Sequence, residues 1–416
     1  MPNDLKYPFG PNILEDGLRP ILSSEQAVAA LTYLPPMRDD MESVPKKIRL
    51  LHLLALRELH IPSPTELRLF DTVDGLVMDS LRIQNPSVAA NWVYLRRDNL
   101  GCRPRPSALS TLVGGDSGTG KTSSSLNVLS TQPQTVIHEN FPNASRPVQQ
   151  LVWLYCQVPS SGTAVDFAAA LMHETDLACG TNRFTETLSR GRSRMRGLAM
   201  LEEWTRVVRS SFLAVVHFDE IQNLFKLPTV AKRRAKSKEE ERPELRVVED
   251  QCLRWYLNFM NGPTATISSG TPDGIVALTS RFATTQRIVN GGYHLFKTID
   301  SPQDVFYIGF LQELWRYQYV VKRLEYSDAA ASLIVELSGG IMRIIIALWV
   351  AAHRVALNRK DDQLKESDFR KASDTLLSPL KPAIEAIRSR DTTRIRQFSD
   401  MLRGDHEFWV TFWQNG

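Results

Sequence analysis

Residues Gly115 to Thr122 read Gly-Asp-Ser-Gly-Thr-Gly-Lys-Thr, and no other run constrains this chain as tightly. Gly115, Gly118 and Gly120 let a backbone turn sharply enough for its N–H groups to face phosphate oxygens. Lys121 has the reach and charge for β- and γ-phosphates, and the Thr122 hydroxyl is a Mg²⁺ ligand. The candidate nucleotide cradle is therefore Gly115, Asp116, Ser117, Gly118, Thr119, Gly120, Lys121 and Thr122, continued by Ser123. The flanks agree with this. Ala108 to Val113 reads as a short strand, and Ser123 to Leu129 as a helix whose N-terminus favours an anion. A strand, a phosphate loop and a helix in that order point to an α/β fold that binds ATP with Mg²⁺.

The rest of the chain allows such a fold. Its 416 residues suffice for two or three domains, and 43% apolar residues supply a core. The net charge of +4 is small, so a nucleic-acid partner must be argued from charge clusters and not from the total. Cys102, Cys156, Cys179 and Cys252 lack paired or zinc-type spacing, which suits idle thiols in a reducing compartment. The first residues lack the apolar run of a signal peptide. The apolar stretch Ile341 to Leu357 is broken by Arg343, His353 and Arg354, so no membrane span is expected. The expected location is cytoplasmic.

Periodicity divides the chain. Residues 1–90 read as a helical N-terminal extension, with apolar residues at helical spacing over Lys46 to Leu59 and again over Glu66 to Leu81. Residues 91–303 alternate strands with helices. Strands are expected at Val148 to Cys156, Phe212 to Phe218 and Thr264 to Ser268. Helices are expected at Val165 to Leu177, Leu198 to Ser210 and Val247 to Met260. This alternation predicts a parallel sheet covered on both faces. Residues 304–390 read as helices only, over Asp304 to Val320, Asp328 to Leu337, Met342 to Leu357 and Glu366 to Leu377, in the manner of a helical lid. Residues 391–416 form an Arg-rich, then aromatic tail whose Phe408, Trp409, Phe412 and Trp413 either dock on a partner or pack on their own chain.

A second motif completes the first. The apolar run Ala214 to Phe218 ends in Asp219-Glu220, as a buried strand carrying a Walker B motif does. Asp219 is the second metal-side residue beside Thr122, and Glu220 the group that polarises the attacking water, since phosphoryl transfer needs positioning and charge stabilisation above all. Thr271, with Ser269 behind it, ends the next strand at the carboxyl edge of the sheet and suits a sensor of the γ-phosphate or water. Arg281 is the candidate arginine finger for a neighbouring subunit's nucleotide, with Arg287 its rival and a solvated helix face the alternative for both. Arg343 opens a lid helix, where it would contact the nucleotide. Gln157, at the end of the second strand, reads as an ordinary strand-end polar residue before it reads as a partner that restrains Glu220. Two basic clusters, Arg183, Arg190, Arg192, Arg194 and Arg196, and Lys232, Arg233 and Arg234, read either as solvated loops or as contacts to a DNA backbone.

Taken in order, Gly115–Thr122, Val216-His-Phe-Asp-Glu-Ile-Gln-Asn-Leu224, Ser269-Gly-Thr-Pro272 and Gly339-Gly-Ile-Met-Arg343 resemble the AAA+ ATPases. More narrowly they resemble the TnsC/TniB family of transposition regulators, over about residues 90 to 380. The resemblance implies an AAA+ P-loop NTPase core followed by a helical lid. It implies a regulatory ATPase that assembles on duplex DNA as a homo-oligomeric ring or filament and links a TniQ/TnsD-type target selector to the transposase, in some cases within CRISPR-associated transposons. A replication initiator or loader of related fold, and a nucleotide-gated signalling module with negligible turnover, are the competing readings. A short tail leaves the initiator little room for a DNA-reading domain.

Overall fold

The computed structural model describes residues 11–38, 40–89, 91, 106–185, 188–189, 197–224, 247–279 and 282–389. They fall into two compact units. The first comprises the described residues within 1–27, 65–114 and 122–295, and the second those within 28–64, 115–121 and 296–416.

The first unit is built on a sheet. Its strands are β1 (Ser110–Gly115), β4 (Trp153–Gln157), β5 (Val215–Asp219), β6 (Ala265–Gly270) and β7 (Gly292–Phe296), in the spatial order β4-β5-β6-β1-β7. The pairs β4·β5, β5·β6 and β1·β6 are parallel. Every residue of β1, β5 and β6 is buried, which is the pattern expected of central strands covered on both faces. The crossover helices Ala164–Cys179 and Gly197–Ser210 follow β4. Thr163 caps the first of them by accepting from the Asp166 N–H, and Gly180 ends it at φ 63°, where a side chain would be strained. Their apolar faces meet the helix Val247–Met260 around Phe218, whose ring lies 5.7 Å from Phe167 and 5.5 Å from Tyr256. Burial of each such aromatic side chain contributes about 2–3 kcal/mol. Because Phe218 directly precedes Asp219, this packing also fixes the carboxyl end of β5.

The run Val148 to Cys156 differs from its expected single strand. It splits into β3 (Val148–Leu151) and β4, because β3 pairs antiparallel with β2 (Thr135–His138) in a separate ribbon while β4 joins β5. Val152 is the switch point: its N–H bonds to Gln134 O at 2.8 Å and its carbonyl accepts from Ala214 and Val215. Between Asp304 and Val320, the helix covers only Val305–Arg316.

The second unit is helical. Helices Val305–Arg316, Asp328–Ser338, Met342–Leu357, Glu366–Asp374 and Lys381–Arg388 follow β7. Asp304 and Ser327 cap the first two through their side chains. The helix Met342–Leu357 is buried from Ile344 to Leu357 and forms the axis of this core, with Trp349 packed 4.8 Å from Trp315 and 5.7 Å from Phe369. Leu53 and Leu56, far upstream, lie in the same core. Arg49 and Asp362 tie the two segments by a two-point ion pair, Nη1 to Oδ1 at 3.1 Å and Nη2 to Oδ2 at 2.5 Å, while Arg49 also donates to Tyr319 O. Residues 28–64 thus share the core of the C-terminal helices, whereas Thr65 to Gln84 belong to the sheet unit. Among the described residues no single helix is long and apolar enough to cross a membrane.

Candidate functional site

The phosphate loop runs from the end of β1 into the helix Lys121–Ser130. Gly115, Gly118 and Gly120 have φ values of 152°, 83° and 95°, a backbone path that other residues rarely take. Gly118 also packs closely within the second unit: a Cβ there would lie 2.8 Å from Ile341 Cγ2 and 3.8 Å from Arg343 Cβ. The loop is closed on the carbonyl of Asp116, which accepts from Thr119 Oγ1 and from Lys121 Nζ, both at 2.8 Å. Lys121 is buried, Ser117 is half-buried and Ser123, in the first turn of the helix, is exposed.

In the first unit the Asp219 carboxylate is the hub. It is 3% exposed. Oδ2 takes the Thr122 hydroxyl at 2.7 Å and the Tyr155 hydroxyl at 3.1 Å, and Oδ1 takes the Glu220 N–H at 2.9 Å and the Ser269 hydroxyl. Burial alone would raise the Asp219 pKa. The hydrogen bonds from Ser269, Thr122 and the Glu220 N–H outweigh it and hold the carboxyl below its ordinary range, so the group is charged at neutral pH. Tyr155 is pushed up by burial and by the Asp219 charge, so it stays a donor. Ser269 spends its hydroxyl hydrogen on Asp219, so it accepts from His217 Nε2, 2.7 Å away. Complete burial lowers the His217 pKa and keeps the ring neutral, with its proton on Nε2.

Thr122 and Asp219 fit a Mg²⁺-nucleotide. Among the described residues no cluster of three or more His, Cys, Asp or Glu side chains could hold a metal unaided. One hydroxyl beside one ionised carboxylate is what Mg²⁺ takes from a protein when phosphates and water supply the remaining oxygens.

Glu220 follows at φ 56°, in the left-handed region that a glutamate seldom occupies. Its carboxylate accepts from Gln222 Nε2, whereas Gln157 is exposed at the end of β4. Thr271 is half-buried at the end of β6 and gives its N–H to Gln222 Oε1 at 3.2 Å. Ser269 is fully buried against Asp219. Arg343 is exposed in the first turn of its helix, and Arg287 is exposed on the helix Phe282–Ile288. Arg183 is exposed, and its N–H donates to the Asp176 carboxylate at 3.0 Å. Arg281, Arg190, Arg192, Arg194, Arg196, Lys232, Arg233, Arg234, Cys102 and the aromatic tail lie outside the described residues.

Tyr155, His217 and Gln222 are site residues that the sequence alone did not single out. His217 carried a signal, an imidazole inside an otherwise apolar strand, and so did Gln222, two residues beyond Asp219-Glu220.

The loop, the buried acidic strand end and the central parallel sheet agree with a family comparison. Residues 105–273 match the AAA domain. The fold is that of an AAA+ P-loop NTPase: a five-stranded sheet flanked by helices, with a helical C-terminal region and N-terminal helices. No curated protein matches the chain. Among solved structures it is similar to the Thermotoga maritima RuvB Holliday junction branch migration motor, at 15% identity and a TM-score of 0.36 over 76% of each chain. It is also similar to the Aeropyrum pernix Orc1 protein in complex with DNA, at 16% identity and a TM-score of 0.39 over 70% of this chain and 65% of that one.

Proposed function

We propose that this AAA domain hydrolyses ATP with Mg²⁺ and that its nucleotide state governs assembly on duplex DNA, in a transposition regulator of the TnsC/TniB type. The observation that carries the ATPase reading is the Thr122–Asp219 hydrogen bond, which joins the helix after the phosphate loop to the acidic end of β5. Bound Mg²⁺ would neutralise charge building on the phosphates. Gly115 to Thr122 and Ser123 cradle the nucleotide, and Lys121 faces its β- and γ-phosphates. Thr122 and Asp219 hold the metal side. Glu220 orients and polarises the attacking water, and Thr271 senses the γ-phosphate. Arg343 reads the nucleotide from the lid, and Arg281 completes a neighbouring copy's site.

The transposition reading rests on the motif resemblance of the sequence, above all Asp219-Glu-Ile-Gln-Asn-Leu224 and Gly270-Thr-Pro272. It assigns the protein duplex DNA, further copies of itself, a TniQ/TnsD-type selector and a transposase as partners. The arginines of residues 183–196 and Lys232 to Arg234 are the proposed backbone contacts. Fluorescence anisotropy with duplexes of increasing length is the test. Binding that tightens with length in ATP or a slow-hydrolysing analogue, weakens in ADP and is indifferent to sequence supports the proposal. Absence of DNA binding in every nucleotide state overturns it.

A further inference from the structure

The Glu220 carboxylate accepts from a side chain that itself sits in a fitted slot. Gln222 lies in the short 3-10 turn Ile221–Leu224 that follows β5, and it is 7% exposed. Its Oε1 accepts the Thr271 N–H at 3.2 Å. That bond settles the orientation of the amide: a backbone N–H can only donate, so Oε1 faces Thr271 and Nε2 faces Glu220, to which it donates.

Two glycines leave room for this arrangement. A Cβ at Gly270 would lie 2.7 Å from Gln222 Oε1, and one at Gly274 would lie 2.4 Å from Gln222 Cβ. Gly270 ends β6 and Gly274 sits in the first turn of the helix Pro272–Thr279. Asn223 anchors the same turn from its other side, donating to Val158 O at 2.8 Å. Glu220 itself is held at φ 56°, which turns the chain so that a residue two positions on reaches back to its carboxylate.

We infer that Gln222 is the positioning residue of the hydrolytic site: its amide fixes the Glu220 carboxylate and links its orientation to the backbone of Thr271 at the end of the sensor strand. This rests on the reading of Glu220 as the group that polarises water. A carboxylate that shares one oxygen with a fixed N–H donor keeps its other oxygen in a defined direction, and misplacing such a group costs rate without touching ground-state binding. Because the same amide holds Thr271, a shift of the strand end reaches Glu220 through one side chain.

The test uses the full-length protein with Mg²⁺-ATP and compares wild type, Gln222→Ala, Gln222→Glu and Glu220→Gln. Four quantities are read: kcat, KM, affinity for a fluorescent ADP analogue, and Tm. Gln222→Glu keeps the acceptor for Thr271 and the shape, and removes the donor to Glu220. The expected result is a fall in kcat of about 10- to 100-fold in both Gln222 variants, with KM and ADP-analogue affinity unchanged. Unchanged kcat in Gln222→Ala, while Glu220→Gln is inactive, overturns the inference and leaves the ATPase reading standing. Parallel losses of kcat, ADP-analogue affinity and Tm in Gln222→Ala assign Gln222 a merely structural role and also overturn it. Unchanged turnover in Glu220→Gln removes the reading of Glu220 as the group that polarises water, on which the inference rests, and leaves hydrolysis itself standing.

Discussion

Thr122 Oγ1 donates to Asp219 Oδ2 at 2.7 Å, across 97 residues of sequence. The bond places a hydroxyl from the phosphate-loop helix against a carboxylate at the end of a central strand, and further donors from Tyr155, Glu220 and Ser269 keep that carboxylate ionised. On the proposed reading, removing either partner dismantles the metal side of the site. Thr122→Ala and Asp219→Asn are each expected to lower kcat for phosphate release at least ~100-fold. Asp219→Asn also alters the hydrogen bonds of Ser269 and Tyr155, so its Tm is expected to move more than that of Thr122→Ala. Steady-state kinetics beside thermal melts check both statements.

Gly118 gives a prediction about binding alone. Its φ of 83° and its closeness to Ile341 leave no space for a side chain. Gly118→Ala is expected to weaken ADP-analogue binding at least ~10-fold, with a stability loss of only about 1–2 kcal/mol, because the strain falls on a loop and not on the core. Isothermal titration and denaturant unfolding separate the two effects.

The ion pair between Arg49 and Asp362 should be strongly destabilising to break and mild to replace. Both residues are buried, at 3% and 9% exposure. Arg49→Ala leaves a buried carboxylate without its closest cation and is expected to lose about 3–5 kcal/mol. Arg49→Met combined with Asp362→Asn removes both charges, and asparagine tolerates the φ of 47° at that position. The double variant is expected to regain at least half of the loss in urea unfolding.

The motifs of the candidate site were legible in the sequence, because the residues within each motif are neighbours along the chain. The phosphate loop and the strand ending in Asp219-Glu220 could be read from spacing alone. The parts that escaped depend on distant partners. The split at Val152 follows from a change of pairing partner along an unbroken apolar run, which periodicity cannot show. β7, Gly-Tyr-His-Leu-Phe, is too short and mixed to stand out as a strand. The sharing of one core by residues 28–64 and the C-terminal helices rests on contacts such as Arg49–Asp362, 313 residues apart. Gln222 was visible as part of a motif, but its bond to Glu220 required a left-handed backbone that no local pattern encodes.

His353 provides a pH dependence. It is fully buried in the helical core, its Nδ1 hydrogen-bonds to Trp349 O at 2.8 Å, and its Nε2 has no partner among the described residues. Burial lowers its pKa from 6.5 to about 4, against smaller opposing effects of the Trp349 carbonyl and Asp368. The unfolded chain therefore binds a proton that the folded chain refuses. The stability that rests on a neutral His353 is fully present above pH 6.5 and is lost as the pH falls towards about 4. The loss over that window is on the order of 3 kcal/mol, since each tenfold weakening of proton affinity is worth about 1.4 kcal/mol. His353→Leu is expected to flatten this part of the stability profile, as followed by urea unfolding at pH steps from about 7 to about 4.5.

Electron microscopy of the full chain on long duplex DNA asks most directly whether nucleotide state governs assembly. With a slow-hydrolysing ATP analogue and Mg²⁺, regular rings or filaments of many copies are expected along the duplex. With ADP the DNA is expected to stay bare, and with Lys121→Ala it is expected to stay bare in either nucleotide. Assemblies that form equally in both nucleotides and in Lys121→Ala, or DNA that stays bare throughout, would contradict nucleotide-governed assembly.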